Sequence, residues 1–204
     1  MAEKLGTYHI SSNPADYELA RSNFFTFIVD DIENLVRSDF GLEEPEESDF
    51  LRGGQEALKL SVNKSSVPHF ELGTIEMRRG NSVIKYAGNP TFPEGSLQVQ
   101  DFVGLKVKSI LMAWQALAYD VINDKGGRAA DYKKKGTLIE YTHDHEKIRE
   151  WELVGCWISS IKEDEYDVSS DSDRKIDCVI QYDRAIMHDP LVKLNKKILG
   201  SAET

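Results

Sequence analysis

A chain of 204 residues with 40% apolar and 29% charged residues fits one globular domain with a real core. Its formal net charge of −10 argues against ordinary duplex-DNA binding, which rests on lysine and arginine neutralising phosphates. A wall past which DNA slides is compatible with that charge, because like charges do not stick; plain solubility explains it equally well.

No run of about 18 apolar residues occurs, so no membrane span is expected. Met1–Ser12 lacks the basic start and apolar centre of a secretory signal. Residues 1–22 are polar, with Pro14, and read as an extended arm that docks elsewhere or stays unfolded. Asn23–Val29 is the first predicted strand, aromatic and β-branched on both faces. It suits a central core strand, or one face packed inside and the other against a neighbour.

Asp30–Glu56 is unusual for a compact domain, where long connections without structure are uncommon. It carries Asp39, Glu43, Glu44, Glu46, Glu47 and Asp49, interspersed with Phe40, Leu42, Phe50 and Leu51. Apolar residues spaced through an acidic loop point to docking on a partner; a solvated loop is the plainer reading. Ala57–Phe70 alternates Leu58, Leu60 and Val62 against Lys59, Ser61 and Asn63, which predicts a strand bent near Pro68. Thr74–Arg79 and Ser82–Ala87 form a hairpin about Gly80-Asn81, closed by Gly88-Asn89-Pro90. Gly95–Phe102 is a further strand with Leu97 and Val99 on one face.

The main helix is expected over 104–119. Val103, Val107, Ile110, Leu111, Trp114, Leu117 and Ala118 recur at spacings of three and four, one helical face for packing on a sheet. Asp101 stands where it would favour the helix N-terminus. Val121–Lys135 reads as a loop with Gly126-Gly127 and the basic residues Arg128, Lys133, Lys134 and Lys135. The spacing of a phosphate-binding P-loop is missing. Gly136–His143 is a strand, and Asp144-His145-Glu146 a turn. His143 and His145 form a ligand-like pair without a third ligand, so a polar turn is the better reading.

Arg149–Trp157 alternates, placing Trp151, Leu153, Gly155 and Trp157 on one face. Lys175–Tyr182 places Ile176, Cys178, Ile180 and Tyr182 on one face. An antiparallel pair joined by the polar link Ile158–Arg174 follows. Cys156 and Cys178 fall on neighbouring strands and are expected as buried free thiols, a disulfide being the alternative. Asp183–Leu199 reads as a short amphipathic helix. The sequence shows no nucleophile elbow, HExxH, Walker loop or CxxC pair, so no catalytic residue, cofactor or metal site is expected. Hairpin-sized links predict a mainly β fold: an antiparallel β-sandwich or barrel with one packed α-helix, in a single domain over 1–204.

The segments "REWELVGCWISSIKEDEYD" and "DRKIDCVIQYDRAI", with "SILMAWQALAYD" upstream, resemble the C-terminal half of tail tube proteins of contractile-tailed bacteriophages. The resemblance covers roughly Gly95–Ile186; the N-terminal half agrees only in the order of its elements. It implies a tail-tube-like fold and a virion structural protein. Hexameric rings would stack into a hollow conduit that holds the tape measure protein and then conducts DNA. Sheath and baseplate proteins would be its partners, and assembly would take place in the host cytoplasm. Tubes of tailocins and type VI secretion systems are related alternatives; a monomeric ligand-binding β-barrel is the alternative of a different class. The resemblance makes the 30–56 loop an assembly loop. Its candidate contacts between subunits are Phe40, Leu42, Glu43, Glu44, Glu46, Glu47, Phe50 and Leu51, with Lys133, Lys134 and Lys135 of another subunit facing the acidic run. The 1–22 arm and the 184–204 segment would contribute to assembly as well.

Overall fold

The computed structural model describes residues 21–32, 54–102, 107–169 and 173–189. Nearly all of the arm, the acidic run 39–51 and the C-terminal segment beyond Asp189 therefore lie outside the described residues.

In chain order the elements are β1 (Phe25–Val29), α1 (Gly54–Ser61), β2 (Val62–Ser65), β3 (Glu71–Arg79), β4 (Ser82–Thr91) and β5 (Gly95–Gln100). Then come α2 (Val107–Ala118), β6 (Tyr119–Asp120), β7 (Lys125–Gly126), α3 (Ala129–Tyr132), β8 (Lys134–Tyr141), β9 (Lys147–Glu163), β10 (Lys175–Gln181) and β11 (Arg184–His188). The main sheet runs β1-β8-β9-β10-β5-β2, with β11 also on β9, and every pairing is antiparallel. The mainly β antiparallel fold with a packed helix is thus borne out.

β9 organises the sheet. Its first half lies between β8 and β11, and its second half pairs with β10. β10 and β11 together form one long antiparallel partner of β9, from Ile176↔Glu163 to His188↔Glu150. The sheet curls over α2, and its edge strands β1 and β2 approach each other.

The alternation expected for β9 breaks at Gly155. Trp151 and Leu153 face the core, but beyond Gly155 the buried residues are Cys156 and Ile158, while Trp157 turns to the other face. Gly155 has φ +69°, a left-handed value that side chains beyond glycine resist. Across from it the β8 register jumps from Gly136↔Leu153 to Lys134↔Cys156. This is a β-bulge: one extra residue inverts the facing of everything after it.

The core gathers Phe27 and Val29 from β1, Leu97 and Val99 from β5, Leu138, and Ile176, Cys178 and Ile180 from β10. α2 presents Val107, Ile110, Leu111 and Trp114 to it, the face read from the sequence. The Trp114 indole donates to the Tyr132 carbonyl at 2.9 Å, so its one polar atom is satisfied. Cys156 and Cys178 are both free and buried; burial pushes each thiol up to about 12.

Four other expectations are corrected. Residues 57–61 form the end of helix α1, not a strand: Ala57, Leu58 and Ser61 are buried at helical spacing, while Leu60 is 66% exposed. Alanine, leucine and lysine favour a helix, and the Ser61 hydroxyl donates back to the Ala57 carbonyl. Among the described residues β1 pairs only with β8, at the end of the sheet order and not in its centre. Val121–Lys135, expected as a loop, holds β7, the α3 turn and the start of β8. Residues 184–188 are strand β11, where a helix was expected, because β9 offers a free ladder beside them. Two further elements run longer than expected: β9 continues to Glu163, and β4 passes through Gly88-Asn89-Pro90 to Thr91.

Candidate assembly surface

β3 and β4 form a two-stranded ribbon that pairs with nothing else among the described residues. All of β3 and nearly all of β4 are exposed. The turn is the one expected, with Gly80 at φ +63° in the first position of a two-residue hairpin loop. Its base is held by aromatic contacts: Phe70 packs on Phe92 at 6.1 Å and Phe92 on Tyr182 at 6.4 Å.

The register sorts the ribbon into two unlike faces. Ile75↔Tyr86 and Met77↔Ile84 are cross-strand pairs and share one face, ending in Arg79 and Ser82 at the tip. Thr74, Glu76, Arg78, Val83, Lys85 and Ala87 share the other, where Glu76 and Lys85 stand opposite and pair at 3.4 Å. Ile75 is 57% and Tyr86 48% exposed. The ribbon thus exposes a contiguous apolar face, and neither of its edges is paired among the described residues.

Two of the three candidate lysines are engaged within the chain. Lys133 reaches both carboxylate oxygens of Asp183 at 2.8 Å, and this contact raises the lysine's pKa. Lys135 pairs with Glu152 at 3.1 Å. Glu152 also meets the His188 ring at 3.1 Å; Lys135 first and His188 second hold its carboxyl below the usual range. Lys134 stands opposite Cys156 on β8 and makes no ion pair among the described residues. The candidate residues Phe40, Leu42, Glu43, Glu44, Glu46, Glu47, Phe50 and Leu51 lie outside the described residues.

Elsewhere the surface is tied together by charge. Glu163 at the end of β9 accepts from Lys108 and Arg174, and those contacts, Lys108 foremost, lower its pKa. Arg174 also reaches Asp101 at 3.5 Å and lies over the Tyr166 ring, so Asp101 serves this cluster. The outer face of β5 and β10 is polar and glutamine-rich. Gln98 donates to Asp177, Gln100 to Asp173 and Gln181 to Glu94, at 2.8, 3.0 and 2.9 Å. His143 and His145 both meet Phe24 edge-on, near 6 Å. Among the described residues no three His, Cys, Asp or Glu side chains converge as metal ligands.

The exposure of the ribbon was missed in the sequence, although its hairpin was found. The signal was present: Ile75, Met77, Ile84 and Tyr86 alternate onto one face, and all four stay exposed.

No protein-family model matches the chain. The tail tube protein gp19 of Enterobacteria phage T4 is 27% identical over 95 residues, 46% of this chain and 58% of the phage protein. The gp19 of Enterobacteria phage T6 matches to the same extent. The matched stretch thus spans less than two thirds of these curated relatives. A chain from the sheath–tube complex of an extracellular contractile injection system, PVC, superposes with a TM-score of 0.59 at 16% identity, over 88% of this chain and 99% of that one. A chain from the tube-terminating cap of the anti-feeding prophage gives 0.60 at 14% identity, over 92% and 99%. The resemblance to tail tube proteins is borne out in sequence, and the fold is the one found in these contractile injection particles.

Proposed function

We propose that this chain is the repeating subunit of a phage tail tube, built from hexameric rings that stack into a hollow conduit for DNA. The observation that carries the reading is the β3–β4 ribbon, which is amphipathic, exposed and unpaired at both edges among the described residues. A surface that differs from its receiving surface makes heterologous contacts; one set closes a ring and a second, non-closing set stacks rings into a filament. The polar outer face of β5 and β10, with Gln98, Gln100, Asp177 and Gln181, suits the bore. Its charges are few and already hydrogen-bonded, and the chain's net charge of −10 discourages phosphate from adhering.

On this reading the role is structural and not catalytic. The chain sits in the virion tail after assembly in the host cytoplasm, and its partners are further copies, a tape measure protein, a sheath and a baseplate. The sheath–tube complex named above supports a sheathed tube, and equally a tube of an injection machine that carries protein cargo. A monomeric ligand-binding barrel fits less well, because Trp114, Phe27, Leu97, Leu111 and Ile158 fill the space such a ligand would need.

The test is sedimentation and negative-stain microscopy of the purified chain over a concentration series. Rings or tubes are expected from the wild type. The Ile84→Asp variant should stay monomeric with an unchanged melting temperature, because its side chain is exposed on the ribbon. A wild type that remains monomeric at high concentration overturns the proposal.

A further inference from the structure

The ribbon and the acidic link between β9 and β10 stand at opposite ends of one strand. β5 begins at Gly95, beside the ribbon's base, where it faces Ile180. It ends at Gln100, which faces Lys175, the first residue of β10 after the link. Gln100 donates to Asp173 and Arg174 reaches Asp101, so the link is fastened to that far end. At about 3.3 Å per residue, β5 spans roughly 20 Å and β3 carries the ribbon tip roughly 30 Å from its base.

The two ends have complementary chemistry. At the ribbon tip Arg78 and Arg79 precede the Gly80-Asn81 turn, both exposed, and neither makes an ion pair among the described residues. Arg79 continues the apolar row of Ile75 and Met77, so the strip ends in positive charge. In the link Asp164, Glu165 and Asp167 are exposed, and so are Tyr166 and Val168 between and beside them. Asp164 accepts the Lys175 backbone N–H, and Asp167 accepts from Ser169; both donors are uncharged. None of the three carboxylates makes an ion pair among the described residues. Lys108 and Arg174, the cations bound at this end, are held by Glu163.

The tip does not meet this link within its own chain. Ile75, Met77, Ile84 and Tyr86 are exposed, so the strip is not folded back over the sheet, and the Phe92–Tyr182 contact holds the base at the Gly95 end. A second copy set head to tail brings the two ends together. The contact is between unlike surfaces, so it repeats from copy to copy without closing.

We infer that the ribbon tip of one copy docks on the β9–β10 link of a second copy, with Arg78 and Arg79 on the carboxylates of Asp164, Glu165 and Asp167 and the apolar strip on Tyr166 and Val168. This rests on the tube reading and names the surface that receives the ribbon.

The test is charge reversal and cross-linking in the full chain. Arg78→Glu with Arg79→Glu should raise the critical concentration for assembly on the order of 10-fold at about 0.15 M salt. The melting temperature of the dilute monomer should not change. Adding Glu165→Arg and Asp167→Arg to the same chain should restore assembly. A chain carrying Arg79→Cys and Glu165→Cys, assembled and treated with a short bismaleimide, should give ladders of linked copies, since Cys156 and Cys178 are buried and do not compete. Three results overturn the inference: unimpaired assembly of the arginine variant, no recovery in the fourfold swap, or assembled tubes in which no copies become linked to one another. A wild type that forms no tubes is a different failure: it removes the tube reading and this inference with it.

Discussion

Replacing Gly155 by alanine tests whether the bulge in β9 sets the sheet. Gly155 sits at φ +69°, where a side chain costs about 1–2 kcal/mol. A Cβ there would also lie 2.3 Å from Asp183 Oδ2 and 2.9 Å from its Cγ, so Asp183 must move. Moving it loosens the Lys133 ion pair and strains the Asp183 N–H bond to the Val154 carbonyl, now 2.9 Å. A backbone hydrogen bond contributes about 0.5–1.5 kcal/mol net, and an exposed ion pair less than about 1. The expected loss is therefore about 2–4 kcal/mol. In urea unfolding, with a slope of about 1–3 kcal/mol per molar for small proteins, the midpoint falls by on the order of 1–2 M. Gly155→Ala combined with Asp183→Ala relieves the collision but not the backbone, so it should recover only part of the loss. An unchanged midpoint in the single variant, or full recovery in the double, would refute the reasoning.

Further outcomes follow from the core and from the titrating groups. Leu111→Ala empties a fully buried site under the sheet and should cost about 2–5 kcal/mol in the same assay; a loss below about 1 kcal/mol would mean that α2 does not seal the core. The Cys156 and Cys178 thiols, at about 12 when folded and near 9.0 otherwise, ionise first in the unfolded chain. Folding stability should thus fall as pH rises from about 9 towards 12, by up to about 1.4 kcal/mol per pH unit for each thiol, and Cys156→Val with Cys178→Val should flatten that slope. Near pH 8 a thiol reagent should label neither cysteine until denaturant is added. Glu163 has a lowered pKa, so its contribution is complete above the ordinary carboxylate range and disappears as pH falls through the depressed value. Glu163→Gln should blunt the acid-side decline in melting temperature.

What could be read from the sequence follows how local each signal is. Ile176, Cys178, Ile180 and Tyr182 alternate without interruption, and all four are buried as expected. The α2 face was equally plain, since seven apolar residues recur at helical spacing. β9 deceived at Gly155, because Trp151, Leu153 and Trp157 obey a period of two that the backbone abandons between them. Nothing local marks a bulge except the glycine, and its partner Asp183 lies far along the chain. α1 deceived in the opposite way: Leu58, Leu60 and Val62 mimic strand alternation over a stretch too short to separate the two periods. β11 depended on a ladder offered by β9, which no local pattern reveals. For the assembly surface, the acidic run drew attention because it is compositionally odd. The ribbon did not, because its apolar face looks like any half-buried hairpin until the fold shows that none of the described elements covers it.

An isolated two-stranded ribbon is marginal in water, so what holds this one matters for what it can do. The β2–β5 pairing Ser65↔Leu97 and the β3–β4 pairing Glu71↔Thr91 are separated by equal numbers of residues on the two strands. The ribbon is thus the far half of one ladder whose near half belongs to the body, interrupted at the Pro68 and Pro93 segments. Ser66 bridges the interruption, donating its N–H to the Ser96 carbonyl at 2.8 Å and accepting the Ser96 N–H on its hydroxyl at 2.8 Å. The Phe70–Phe92–Tyr182 stack adds an apolar clamp. Such a base fixes the direction in which the apolar face projects without burying it. Contact with a partner then need not first order the ribbon, which lowers the entropic cost of each docking event.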